Sequence, residues 1–270
     1  MSEPTPSADR ALRALADAVG ESRPRAPHDG ADPDVPVAAT VMLLRDGLAG
    51  PEVLMIERPD RGSFAGAWVF PGGKLEDVDR TSGDEEQDAA RRAGVRETWE
   101  EIGLSLDPAD LLTVSVWDPP PGLPLRIRTW FFAARAVGGD LVLSPHEAVA
   151  AEWVRPEVLL ERHGRGEVTL YPPTWVTLHD LSGQADVKAL LAVLRLPGVR
   201  RFETVARRSE SGPILLWEGD AEYSAPAPAE APAGSAQRNG APVLSERQRD
   251  EASRHRLELG ALPWVYTRAE

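Results

Sequence analysis

Residues 70–104 read FPGGKLEDVDRTSGDEEQDAARRAGVRETWEEIGL, and this stretch decides how the whole chain is read. A Gly-Gly turn follows a short apolar strand, Trp68-Val69-Phe70. After a loop comes Arg96-Glu97-Thr98-Trp99-Glu100-Glu101-Ile102-Gly103-Leu104. On a helix, at 100° per residue, Glu97, Glu100 and Glu101 fall within about 100° of arc. Like charges held that close are destabilising unless a cation sits among them. Carboxylate oxygens suit hard divalent ions such as Mg²⁺ or Mn²⁺. The residue pattern alone therefore points to a metal site.

The run Arg96–Leu104 also resembles the second half of the Nudix box, G-x5-E-x7-R-E-U-x-E-E-x-G-U, where U is apolar. Phe70-Pro71-Gly72-Gly73 is similar to the usual entry to that box. The order of these pieces after a predicted strand is the context such a motif requires. The resemblance implies an α/β fold, a Nudix-type α/β/α sandwich with a mixed β-sheet between helices. It implies a hydrolase acting on a nucleoside diphosphate linked to another group, with Mg²⁺ or Mn²⁺ as cofactor.

Residue by residue, the resemblance makes Glu97, Glu100 and Glu101 metal ligands, together with the backbone carbonyl of Gly73. The general base is either Glu97 or a carboxylate outside the box. For the latter, Glu147 in the loop Ser144-Pro145-His146-Glu147 is the candidate, with Glu152 its competitor. Glu97, Glu100 and Glu147 are thus the catalytic candidates. Counting back eight residues from Arg96 reaches Asp88, which takes the place of the box's upstream glutamate. The expected structural set is Asp88 paired with Arg96, and Gly103 ending the helix. On this count a nine-residue insertion falls within Leu75–Glu86.

The stretch Val53–Gly73 is similar to the segment preceding the box in the coenzyme A and acyl-coenzyme A diphosphatase branch (Nudix 19-type), through Arg58, Gly62, Gly66 and Phe70–Gly73. Tyr171-Pro172-Pro173-Thr174 extends that likeness, although Gly62 stands where the branch has an arginine. ADP-ribose or a nucleotide sugar is the alternative substrate, and a non-catalytic ligand sensor the alternative class. Candidate phosphate-binding residues are Arg58, Lys74, Arg126 and Arg128. Arg126 and Arg128 are expected to share one side of a strand.

Composition sets the outer limits. With 42% hydrophobic residues the chain has enough apolar side chains for a real core. It has no cysteine, which excludes disulfides and thiolate metal sites. A net charge of −13 argues against nucleic-acid or anionic-membrane partners but does not exclude a small phosphorylated ligand; the small-molecule nucleotide diphosphate partner is what the resemblance implies. No apolar run is long enough to span a bilayer, and MSEPTPSADR lacks the apolar core of a secretory signal, so a cytoplasmic location is expected. Oligomeric state is not legible.

Along the chain, residues 1–35 read as a flexible tail with a short helix at Ala11–Val19, and 36–200 as the hydrolase domain. Residues 201–223 form an extension and 224–242 a Pro/Ala-rich linker. Residues 243–270 form a C-terminal segment. In it Ser245–Leu259 suits a helix, and Leu262–Tyr266 is apolar enough to dock. Strands are expected at Val37–Leu44, Glu52–Glu57, Leu111–Val116, Ile127–Ala134, Leu141–Leu143 and Glu152–Val154. Helices are expected from about Asp84–Asp88 to Gly103, and at Pro156–Arg162, Pro172–Asp180 and Val187–Leu194. In the first, Val95, Thr98, Trp99 and Ile102 should face the core and Ser82 with Glu85 should form a capping box.

Overall fold

The computed structural model describes residues 22–26, 28–62, 64–123, 126–224 and 253–269. The expected helix at Ala11–Val19 and nearly all of the 224–242 linker lie outside these residues.

Strand β1 (Val37–Gly47) is the spine of the molecule. Its β-branched, apolar run alternates between two cores, as a period-two element must. Val37, Ala39, Val41 and Leu43 point to one face, Met42 and Leu44 to the other. An Asp46–Gly50 turn returns the chain as β2 (Gly50–Glu57), antiparallel to β1. The remaining strands of this sheet are β3 (Trp68–Val69), β4 (Gly72–Lys74), β5 (Leu112–Asp118), β6 (Arg128–Arg135), β7 (Ala150–Val154) and β8 (Arg200–Glu203). The order is β3-β2-β1-β6-β5-β8, with β4 also on β1 and β7 also on β2. β1–β6 and β5–β8 are parallel and the other pairs antiparallel, so the sheet is mixed.

Helix α1 (Glu86–Ile102) covers one face. Its inward side is small: Ala89, Ala90, Ala93 and Gly94 are buried, followed by Thr98, Glu101 and Ile102. A Cβ on Gly94 would sit 3.0 Å from a Val41 methyl, so glycine lets the helix lie close on β1. Burial of Ile102 contributes roughly 2–3 kcal/mol. The expected core stripe is rotated relative to this face: Trp99 is 57% exposed and Val95 only half-buried. The Ser82–Glu85 capping box is also absent. Glu85 is the N-cap with no side-chain cap bond, and a capping box forms instead between Glu76 and Asp79, upstream of the helix. Gly103 ends α1 at φ 74°, where its N–H closes on the Trp99 carbonyl.

Helices α2 (Pro156–Gly164), α3 (Pro172–Leu181) and α4 (Val187–Arg195) cover the opposite face. Proline in the first turn starts α2 and α3, and Asp186 caps α4 by accepting from Ala189 N–H at 2.7 Å. Leu141–Leu143 is not a strand. Val142 and Ser144 donate their N–H groups to the carbonyls of Ile102 and Glu101, satisfying the end of α1 rather than a ladder.

The C-terminal part departs furthest from expectation. Strands β9 (Val205–Ser209), β10 (Gly212–Leu216), β11 (His255–Glu258) and β12 (Val265–Arg268) make a second, antiparallel sheet in the order β12-β11-β10-β9. His255–Glu258 lies inside the stretch expected as a helix. Its alternation of buried His255 and Leu257 with half-buried Arg256 and Glu258 follows period two, and tertiary pairing overrides helix propensity. The same apolar core continues into this sheet through Phe202, Trp217, Leu257 and Trp264. Trp117 stacks on Phe202 at 3.8 Å. Residues within the expected N-terminal tail also dock: Arg25 donates to the carbonyls of Asp118, Pro119 and Thr204 at 3.0–3.2 Å.

Candidate active site

The Gly-Gly turn is held in place first. Thr40 Oγ1 donates to the Phe70 and Pro71 carbonyls at 3.2 and 2.9 Å, and Val41 N–H donates to Pro71 at 2.8 Å. A Cβ at Gly72 would run into the Ala39 carbonyl. A Cβ at Gly73 would stand 2.5 Å from both Glu97 carboxylate oxygens. Glycine at 73 thus lets a backbone segment and a carboxylate approach one another closely.

The carboxylates lie along the C-terminal half of α1. Glu101 is 1% exposed; its Oε2 accepts from Gly72 N–H at 2.8 Å and its Oε1 from Arg58 Nη1 at 2.7 Å. Burial pushes its carboxyl up to about 8, with Glu97 and Glu147 adding repulsion, while Gly72 N–H and Arg58 pull the other way. Glu97 is also raised, by burial first and then by Glu100 and Glu147, against the pull of Arg96. Glu147 therefore stands within electrostatic reach of both glutamates. Its loop is fastened to the end of α1 through Ser144, and Arg61 Nη2 reaches His146 at 3.3–3.4 Å.

Arg96 organises the opposite side. Its Nη1 donates to Glu97 and Glu100, each at 2.9 Å, and its Nη2 to the Lys74 carbonyl at 3.0 Å. The acid paired with it is Asp79, at 3.1 Å from Nε and 2.9 Å from Nη2. Burial alone would raise Asp79; Arg96 and the Glu76 N–H outweigh it and hold the carboxyl low. The Asp88–Arg96 pairing is therefore corrected: Asp88 sits exposed in the first turn of α1. Counting forward from Gly73 instead of back from Arg96 reaches Asp79 after five residues, as the motif requires. The extra residues lie between Asp79 and Arg96, as an exposed loop and added helical turns, not between Gly73 and the acid.

The four phosphate-binding candidates separate. Arg58 is at the glutamates, and Lys74 is exposed on β4 beside Gly73. Arg128 is 5% exposed and fully engaged: Nε to Asp118 at 2.7 Å, Nη1 to Glu86 at 3.0 Å, Nη2 to the Gly30 carbonyl at 2.7 Å. Glu86 is at the start of α1, about 16 Å along the axis from Glu97. Arg126 precedes β6 and leans on Asp32 at 3.3 Å. The expectation that these two line the ligand side of a strand is thus overturned: a buried ion-pair cluster holds one, and the other is not in the strand. Glu152, the competing base, pairs with Arg162 at 2.8 Å.

The donor set at the glutamates is all oxygen, the chemistry that suits Mg²⁺ or Mn²⁺. Among the described residues no three acidic or histidine side chains converge as a ready-made metal cage. Arg58 and Arg96 stand in as the cations that offset the cluster.

A hydrolase-type site on an α/β/α sandwich is the class that this fold and its glutamates define. The NUDIX domain family matches residues 34–173, just over half of the chain, and the chain belongs to that family. It is 33% identical over 121 residues to a Caenorhabditis elegans protein bearing a nudix hydrolase name, a match spanning 43% of this chain but 28% of that relative. A NUDIX hydrolase from Alicyclobacillus acidocaldarius aligns at 25% identity and TM-score 0.47, covering 61% of this chain and 94% of the other. The NUDIX domain of Shewanella oneidensis NrtR, solved with ADP ribose, aligns at 13% identity and TM-score 0.43, covering 57% and 90%. No helix among the described residues is long and apolar enough to cross a membrane.

Proposed function

We propose that this chain is a divalent-metal-dependent hydrolase of a diphosphate bond joining a nucleoside to another group, and that coenzyme A or acyl-coenzyme A is its substrate class. The observation that carries the hydrolase reading is the carboxylate excess around Gly73, with Glu101 buried, Glu97 half-buried and both pushed upward. Sites tuned away from ordinary pKa values in this way are characteristic of chemistry. Glu97, Glu100, Glu101 and the Gly73 carbonyl would hold the ion, Mg²⁺ or Mn²⁺. When bound, it would neutralise diphosphate charge and ease deprotonation of water.

The chain's own residues supply the rest. Glu147 takes the proton as water attacks phosphorus; the bridging P–O bond breaks and two phosphate monoesters leave. Arg58, released from Glu101, and Lys74 contact the phosphate oxygens. Arg96 with Asp79 fixes the Gly73 turn. The coenzyme A reading is supported by the meeting of two distant stretches that carry the resemblance. Phe64 and Tyr171 pack edge to face at 4.7 Å, and Trp68 N–H donates to the Thr169 carbonyl at 2.9 Å.

The test is product identification by mass spectrometry after incubation with coenzyme A, acetyl-coenzyme A, ADP-ribose, NADH and diadenosine tetraphosphate, with Mn²⁺ and with EDTA. 4′-Phosphopantetheine, or its acyl form, and adenosine 3′,5′-bisphosphate from a coenzyme A substrate, only with metal, are expected. Undiminished turnover after chelation would sink the metal-hydrolase reading. Preference for ADP-ribose would replace the substrate, and no turnover of any compound would favour a ligand sensor.

A further inference from the structure

A cleft of about 390 Å³ opens away from the glutamates, between β8 and the C-terminal sheet. We propose that it binds a phosphate-bearing ligand at a second site. Arg200, Arg201, Arg254 and Arg268 line it, against one carboxylate, Glu218. The whole chain carries a net charge of −13, so four guanidinium groups in one cleft reverse the protein's average. They do not come from a basic run. Arg200 and Arg201 are on β8, Arg254 precedes β11, and Arg268 ends β12. Folding alone brings these three segments together. β8 is at one edge of the large sheet, with β5, β6 and β1 between it and β2, the strand that leads to Arg58.

The arginines differ in what they already hold. Arg200 Nη1 pairs with Asp180 at 2.5 Å, and its guanidinium lies 5.5 Å over the Phe202 ring. Its Nε is buried with no hydrogen-bond partner among the described residues. A buried donor of this kind is left wanting an acceptor. Arg201 is exposed and Arg254 half-buried, and neither makes a salt bridge among the described residues. A second cavity of about 500 Å³, which includes His179 and Tyr266, adjoins through Arg268. Asp180 lines that cavity too and takes up the charge of Arg200, which leaves Arg201, Arg254 and Arg268 against Glu218.

Several guanidinium groups facing one carboxylate favour a multiply charged anion, and their planar forks match phosphate oxygens. Residues 225–252, which lead directly to this cleft, are a poor match for it. They carry Glu230, Glu246, Asp250 and Glu251 against Arg238, Arg247 and Arg249, almost no net charge.

The experiment is calorimetric titration of the full chain with inorganic pyrophosphate in EDTA at low salt. It compares the wild type, a Glu97→Gln/Glu101→Gln variant and an Arg201→Gln/Arg254→Gln variant. Saturable binding is expected, kept by the glutamate variant and weakened at least 10-fold by the arginine variant. Arg201→Gln alone, at an exposed position, should weaken it about 3-fold without lowering the melting temperature. Absence of saturable binding, equal affinity in both arginine variants and wild type, or loss in the glutamate variant would each overturn the proposal. Loss confined to the glutamate variant would place the pyrophosphate at the glutamates instead, and the other outcomes leave the hydrolase reading untouched.

Discussion

Helix α1 carries glutamates at both ends, and the two ends differ in how far those carboxylates are matched. At the start, both oxygens of Glu86 are taken: Oε1 accepts from Trp130 Nε1 at 2.8 Å and Oε2 from Arg128 at 3.0 Å. Arg128 is itself matched by buried Asp118. Toward the end, Glu101 holds Arg58, Glu97 and Glu100 share an Arg96 already committed to Asp79, and Glu147 adds a further negative charge within electrostatic reach. At the start one guanidinium serves two carboxylates, and its hydrogen bonds, together with those of Glu86, lock the helix to β6. The other end is left short of cations, at the cost of raised carboxyl groups. The two clusters on this helix therefore differ in the size of their carboxylate excess, one at the start and three toward the end, not in residue type.

Glu101→Gln attacks the deficient end directly. It keeps shape and removes a charge, so kcat should fall roughly 10²-fold or more with the fold intact, read by steady-state kinetics and circular dichroism. The same variant has a stability signature in EDTA. A carboxyl raised to about 8 in the fold favours the protonated state, so its contribution is lost as pH rises toward and through 8. The Gln variant should therefore melt higher than wild type at pH 9. A lower melting temperature there would show that the Arg58 pair outweighs burial.

Asp79→Ala tests what steadies that end. Activity should drop about 10-fold through loosening of the Gly73 turn. Stability should fall by about 2 kcal/mol, less than for a fully buried pair because Arg96 keeps Glu97 and Glu100. Asp88→Ala should match wild type in both assays. If instead Asp88→Ala carries the loss, the forward count from Gly73 is the wrong one.

A buried group with no partner extends the comparison. His163 Nδ1 lacks a hydrogen bond among the described residues, and the ring packs 4.5 Å from Trp264. Burial lowers its pKa from the ordinary 6.5 to about 4. Its stabilising contribution is therefore complete above pH 6.5 and is lost as pH falls toward 4. Between pH 7 and pH 5 this is about 1–2 kcal/mol, and His163→Phe should lack it, as measured by urea unfolding. Equal acid sensitivity in both proteins would contradict the assignment. The smallest effect belongs to Trp99: being 57% exposed, Trp99→Gln should change stability by no more than about 0.5 kcal/mol. A larger loss would restore it to the core.

What the sequence disclosed, and what it hid, follows from the range of the interactions. The glutamates, Gly73 and Gly103 act within one helix and one turn, and local spacing exposes them. β1, β2, β5 and β6 were legible because apolar runs or alternation record burial. The Asp79–Arg96 pair was hidden because the helix lengthens between them, so only the count anchored at Gly73 finds it. Arg128 looked free because its acids, Glu86 and Asp118, are distant in sequence. The second sheet was hidden for the same reason: β10 and β11 pair across residues 225–252. On α1 Thr98 and Ile102 face the core as expected, but Trp99 does not, because alanine and glycine meet β1 instead.

The clamp at Arg96 has a practical consequence. It grips the Lys74 carbonyl and Asp79 on one side of the loop and the glutamates on the other. Residues 80–85 between them are all exposed. Asp84 ties this loop back to Arg92, one turn before Arg96 on α1, so the stretch is exposed yet anchored at both ends: a fluorescent reporter spliced after Gly83 would sit at the surface while the Arg92 and Arg96 contacts hold the flanking backbone in place.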